Sequence, residues 1–215
     1  MIARAVVLLL LTIVTGPRVL ASQTGPVRIV TLSAAITETV FALGRGVDVV
    51  GVPSGVVFPA EAARRVPVGA ARQLGAEGIL AQRPTLILAD STLAPALRRQ
   101  LGRAGVRIEL VSGAETTEGA MARIRQLGRL LDRRVAADSL ATGLRRRLAG
   151  VAPLAPAPRV LFVYARGAGT LMVSGGGTSA AEMLRLAGAT NAVQGFEGFR
   201  PLTAEAVVAA RPDIK

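Results

Sequence analysis

The sequence predicts an α/β protein of two parallel-sheet lobes joined by one long rigid helix. Three observations carry that prediction. Short apolar strands alternate with short helices over residues 28–111, at the spacing of βαβ units. A long amphipathic stretch follows at 117–148. A block of residues from the first half of the chain then returns in the second.

Taken in order, residues 28–32 (RIVTL) form a β-branched run, and Ser33 stands in a good N-cap position. Ile36, Val40 and Leu43 share one helical face over 34–43, and Gly44 suits the left-handed position after a helix. A second strand is expected at 47–52. A helix at 76–82 closes at Arg83-Pro84, and 85–89 (TLILA) is a continuous apolar run, as a parallel strand buried on both faces requires. A helix at 94–104 and a strand at 106–111 complete the first lobe. From 117 to 148 there is no proline, and Met121, Ile124, Leu127, Leu130 and Leu131 keep the 3.6-residue period, so one continuous helix is expected. Residues 153–158 (PLAPAP) make a stiff linker, and 159–164 (RVLFVY) open a new strand. The expected organisation is a targeting segment at 1–21, a first lobe at 22–116, a connecting helix at 117–152 and a second lobe at 153–215.

The internal repeat is specific in its spacing. Leu74-Gly75-Ala76-Glu77 with Ala81, Arg83 and Pro84 returns as Leu202-Thr203-Ala204-Glu205 with Ala209, Arg211 and Pro212, always 128 positions later. Arg28-Ile29-Val30 returns as Arg159-Val160-Leu161, at an offset of 131. After Pro84 the first lobe continues through two strands and a helix. The strand that Asp213 and Ile214 should open is cut at Lys215, so the second lobe is expected to be incomplete.

Composition narrows the chemistry. The 215 residues contain no cysteine and no histidine, which removes thiol nucleophiles, imidazole acid–base steps, Ser-His-Asp triads and Cys/His metal cages. No acid pair has a recognisable catalytic spacing, so no enzyme and no catalytic residue is expected. At 51% hydrophobic and 19% charged residues, with a mean hydropathy of +0.47, the chain is a folding one. Its net charge of +12 comes from scattered arginines, with Lys215 the one lysine. With 3% aromatics and no nucleic-acid motif, that charge is expected to serve an anionic ligand or surface, not nucleic acid. Arg4, the apolar run at 5–14, Gly16-Pro17 and Val19-Leu20-Ala21 form an export signal with cleavage expected after Ala21. The run is too short to span a bilayer, which takes about 20 apolar residues.

The opening Arg28-Ile29-Val30-Thr31-Leu32-Ser33 with Thr37-Glu38, the segment Ala42-Leu43-Gly44, the paired Glu77 and Glu205 blocks, and Gly175-Gly176-Gly177-Thr178-Ser179-Ala180-Ala181 leading into a helix make a pattern. In order and spacing it resembles the periplasmic substrate-binding proteins of iron–siderophore, cobalamin and haem ABC importers, over residues 28–214. Residues 69–78 (GAARQLGAEG), Leu161-Phe162-Val163, and Asn191-Ala192 with 196–199 (FEGF) are most similar to the haem branch. The resemblance implies a periplasmic, monomeric receptor that captures haem (hemin) in the cleft and delivers it to an inner-membrane permease dimer. Haem is then the transported ligand and no intrinsic cofactor is implied. An outer-membrane receptor system would supply it indirectly. Cobalamin or a ferric siderophore is the alternative small chelate ligand, and a truncated, non-functional receptor fragment is a further alternative.

Haem receptors of this kind often carry an iron-ligating tyrosine two residues before the arginine that matches Arg72; Ala70 stands there. Haem iron takes phenolate, imidazole, thiolate or thioether donors, which leaves Tyr164, and more weakly Met172. Arg72 and Arg166 have the guanidinium fork that pairs with carboxylates such as haem propionates. Gly176, Thr178 and Ser179 would offer backbone N–H groups and hydroxyls to an anion at a helix N-terminus. The resemblance implies that Glu77 and Glu205, equivalent in the two lobes, each meet an arginine of one permease subunit.

Overall fold

A computed structural model describes residues 26–70, 74–113, 115–165, 169 and 171–214 of the chain. The first lobe is a five-stranded parallel sheet with helices on both faces. Its elements are β1 (Ile29–Thr31), α1 (Ala34–Ala42), β2 (Val49–Val52), α2 (Ala60–Ala63), β3 (Val66–Pro67), α3 (Ala76–Leu80), β4 (Leu86–Asp90), α4 (Pro95–Arg103) and β5 (Arg107–Val111). The strand order is β3-β2-β1-β4-β5. Ile29, Val30, Ile87 and Leu88 are wholly buried, as central strands covered on both faces require. Ile29 and Leu88 point into one core with Ile36, Val40 and Leu127, while Val30 and Ile87 point into the other with Ile79 and Leu101.

Ser33 is the N-cap of α1, but its side chain bonds no helix amide; its carbonyl accepts from Thr37 instead. Gly44 follows α1 at φ +73°, as expected of a helix terminator. The strand expected at 47–52 starts at Val49, because Gly46–Asp48 form a 3-10 turn tied by the Arg45–Asp48 ion pair.

The single helix expected over 117–148 is two helices, α5 (Thr117–Leu130) and α6 (Arg134–Ala149), packed against each other. The break lies at Asp132, whose φ of +54° is a left-handed conformation that aspartate tolerates better than most residues. Met121, Ile124, Leu127 and Leu131 pack on the first-lobe core, and Ala137 and Ala141 join the same core from α6. Gly128 lies where α6 approaches, its Cα facing Ala137 with no room for a methyl.

The second lobe holds β6 (Arg159–Val160), β7 (Val163–Ala165), β8 (Leu171–Ser174), α7 (Ser179–Leu186), β9 (Thr190–Asn191), β10 (Phe199–Pro201) and α8 (Ala204–Ala210). Its parallel part is β6 paired with β9, with Ile214 bridging Val160 in parallel. Beside it stands an antiparallel sheet, β10-β8-β7, which the sequence did not announce. Its apolar core, around Leu161, Val173, Ala192 and Ala210, is separate from the two first-lobe cores.

The repeat is structural as well as sequential. Arg28 sends its guanidinium to the carbonyl oxygens of Gln82 and Arg83, while its backbone carbonyl accepts from Thr85 and Leu86. Arg159 sends its guanidinium to the carbonyl of Ala210 at 2.8 Å, and its backbone carbonyl accepts from Asp213 and Ile214. Arg83 and Arg211 both adopt left-handed φ values, +46° and +41°, before their prolines. In each lobe an arginine at the first strand therefore clamps the carbonyl end of the short glutamate helix.

Candidate functional site

In an open parallel sheet, ligands gather beyond the carboxyl ends of the strands where the strand order reverses. Here that point lies between β1 and β4, and a cavity of about 580 Å³ opens there, lined by Leu32, Ser33, Ala34, Asp90, Thr92 and Leu93. Asp90 is held by Thr92, whose backbone amide and hydroxyl both donate to its carboxylate. Ala70, where a haem receptor would place tyrosine, is exposed in the loop before α3.

The second lobe supplies an aromatic surface. Tyr164 on β7 is 40% exposed and Phe199 on β10 is 43% exposed. Their ring centroids lie 5.8 Å apart at 56°, a tilted aromatic pair. The register sets Tyr164 opposite Met172 and Met172 opposite Pro201, so these side chains share one face of the sheet with Phe199. Among the described residues nothing hydrogen-bonds the Tyr164 hydroxyl. Phe162 is exposed two residues before Tyr164 in the chain, and Arg200 stacks its guanidinium 4.5 Å over the Phe196 ring. Four of the chain's six aromatic rings thus lie within residues 162–199.

Gly176, Thr178 and Ser179 turn out to be occupied by the protein itself. The Gly176 amide donates to Phe196 and its carbonyl accepts from Gly198. Thr178 is buried, shares a hydrogen bond with Ser174, and caps α7 by accepting from the Ala181 amide. The Ser179 amide donates to the Glu115 carboxylate at 3.0 Å. The polar groups expected to receive an anion are the ones that build the β8–α7 turn. Arg72 and Arg166 lie outside the described residues.

Glu77 and Glu205 are both exposed in the first turns of α3 and α8. A hydrogen bond from its own amide and one from Thr203 hold the Glu205 carboxyl below its ordinary pKa. Both glutamates sit at helix N-termini, where a carboxylate is favoured by the aligned peptide dipoles. Among the described residues no group of three or more acidic side chains is placed to hold a metal ion.

Sequence reasoning missed Phe199, whose aromatic contact with Tyr164 comes from a strand 35 positions away. It also missed Glu115 and Glu182, which meet helix N-termini across the lobe junction.

This architecture, with a parallel α/β lobe, a helical connector and a second α/β lobe, matches a known family. The periplasmic binding protein family matches residues 29–214. The chain belongs to that family. It resembles the periplasmic heme-binding protein RhuT from Roseiflexus sp. RS-1 at 33% identity and a TM-score of 0.80, covering 88% of this chain and 76% of that one. A periplasmic heme-binding protein from Pseudomonas aeruginosa superposes with a TM-score of 0.78 at 32% identity, over 87% of this chain and 70% of that one. The cobalamin-binding protein of Halobacterium salinarum is 28% identical over 88% of this chain, and the chain spans 53% of its length. The chain therefore spans about half the length of that curated relative. These relatives are binding proteins, not enzymes. Among the described residues no helix is long and apolar enough to cross a membrane.

Proposed function

We propose that the chain is the solute-binding component of an ABC importer, capturing haem between its lobes and passing it to an inner-membrane permease. The observation that carries this reading is Tyr164. It is the one phenol in a chain without imidazole or thiol, it is half-exposed on β7, and a second aromatic ring stands beside it. An iron porphyrin needs one such donor and an apolar, aromatic surface for its ring. The heme-binding proteins at 32% and 33% identity support the same ligand.

In this reading Tyr164 ligates the haem iron, and Arg72 and Arg166 meet the propionates. Gly176, Thr178 and Ser179 shape the turn beside the ligand without holding it. Glu77 and Glu205 dock on the two subunits of the permease, where matched charges contribute orientation and association rate more than affinity. The receptor acts as a monomer in the periplasm, exported by its first 21 residues. Cobalamin is the second reading, favoured by Ala70 in place of the expected tyrosine and by the Halobacterium relative.

Titrating the purified chain with hemin and following the Soret band tests the proposal. Saturable binding with a tyrosinate-type spectrum is expected, and Tyr164→Phe should remove that spectrum and weaken binding by at least about tenfold. An unchanged spectrum in Tyr164→Phe would take the residue out of the site. No saturable hemin binding by the native chain would overturn the haem reading.

A further inference from the structure

Among the described residues the two lobes share no apolar core: the cluster around Leu161 and Val173 contains no residue from the first lobe. Their direct polar contacts are few and concentrated. Among the described residues, the hydrogen bonds joining residues up to Leu130 with those from Arg159 onward are three. The Thr117 amide donates to Glu182 at 2.8 Å, the Thr117 hydroxyl donates to the same oxygen at 2.5 Å, and the Ser179 amide donates to Glu115 at 3.0 Å.

The arrangement is reciprocal. Thr116 caps α5 and Thr178 caps α7, each accepting from the amide three residues on. Each helix then lends the amide of its first residue to a carboxylate from the other side of the junction: Glu182 of α7 takes Thr117, and Glu115, just before α5, takes Ser179. Two helix N-termini bridged this closely place their positive ends near one another, and the two carboxylates offset that repulsion. Glu182 is fixed from its own side as well, because Arg185 grips both its oxygens at 2.7 and 2.8 Å. The carboxylate is thus four-fold bonded, and its pKa falls to about 2, through the Arg185 and Thr117 hydrogen bonds in that order.

We propose that Glu115 and Glu182 form a reciprocal latch that sets the angle between the two lobes, and with it the width of the ligand cleft. The helical connector alone does not set it: α6 is followed by residues 150–158, which form no helix or strand, before β6 begins. The latch joins the segment after β5 to the segment after β8, so it sits beyond the carboxyl ends of those two strands. Both glutamates are positioning residues that need touch no ligand, and the inference stands whichever chelate is bound.

The chain has no native cysteine, so labels can be placed at will. Spin labels introduced at R99C on α4 and V208C on α8 report the interlobe distance without ligand. A single narrow distribution is expected for the native pairing, and E115A/E182A should broaden or shift it. Glu182→Gln, which keeps an acceptor oxygen for Thr117, should retain most of the narrow component. In the same samples the Thr117 and Ser179 amides should exchange with deuterium about tenfold faster in the double variant, with core amides such as Ile87 unchanged as proof of folding. Thr117→Val, which removes one of the three bonds, gives a milder version should the double variant unfold. A distribution and exchange rates unchanged on losing both carboxylates would overturn the latch.

Discussion

Gly128→Ala tests how closely the two connector helices pack. The added methyl would overlap the Ala137 Cβ on α6 and stand 3.2 Å from the Arg133 carbonyl oxygen. Neither atom is the far end of a flexible side chain, so α6 must move away from α5 and from the core that Leu127, Leu131 and Ala141 share. Overpacking of this kind costs about 1–3 kcal/mol. Replacing a mid-helix glycine by alanine returns about 1 kcal/mol of helix propensity. The net is a loss of roughly 0–2 kcal/mol, or up to about 8 °C in Tm for a chain of this size. Thermal melts followed by circular dichroism measure it. The double variant Gly128→Ala/Ala137→Gly should recover most of the loss, with a coupling of about 1 kcal/mol. A Tm raised by Gly128→Ala alone would mean that propensity outweighs packing and that the helices do not touch at this point.

Arg159→Ala removes hydrogen bonds to the Ala210 and Ala192 carbonyls and should cost about 1–2 kcal/mol, with Arg28→Ala costing as much or more, both read from urea melts. Equal stability of both variants and the native chain would show that the clamps do not hold the glutamate helices. Acid should weaken the junction in a defined window. The folded pKa of Glu182, about 2, lies below its ordinary value of 4.5, so its contribution is present above pH 4.5 and fades as pH falls from 4.5 through 2. Glu182→Gln should flatten that part of the urea-melt pH profile by on the order of 1 kcal/mol, discounted for the ion pair's contact with solvent; an identical slope would remove Glu182 as its source. Reversing Glu77 and Glu205 to lysine should weaken permease association in reconstituted vesicles by about tenfold or more while leaving ligand affinity unchanged. Undiminished association would end their docking role.

The first lobe was legible because its chemistry is local. Residues 86–89 lie under helices on both faces and read as an unbroken apolar run, and each flanking helix shows its own buried stripe. The repeat was legible because Arg28 and Arg159 bond equivalent carbonyls, those of Gln82 and Ala210, each just before an Arg-Pro turn. The break in the connector was not: Leu130 and Leu131 keep the helical period, and neither glycine nor proline marks Asp132. The antiparallel sheet was hidden because β7 and β10 are three residues long and exposed, and alternation cannot be read from so few positions.

For the site, Tyr164 could be singled out by elimination, since a chain without histidine or cysteine leaves few donors. Its aromatic neighbour could not, because Phe199 arrives through strand pairing. Thr178 and Ser179 already have partners within the protein, which the sequence does not show. A glycine-rich turn into a helix offers amides to an anion, and here the Gly176 amide donates to Phe196, the Ser179 amide to Glu115, and the Thr178 hydroxyl pairs with Ser174. Nothing in the sequence joins Glu115 to Ser179, which lie 64 positions apart and meet only once both lobes are in place.

The most direct test of ligand capture is a side-by-side titration of the purified chain with hemin and with cyanocobalamin, followed by absorbance and calorimetry. The account predicts saturable one-to-one binding of hemin and none of cyanocobalamin. Saturable cobalamin binding with no hemin binding would contradict it and assign the chain to the other ligand.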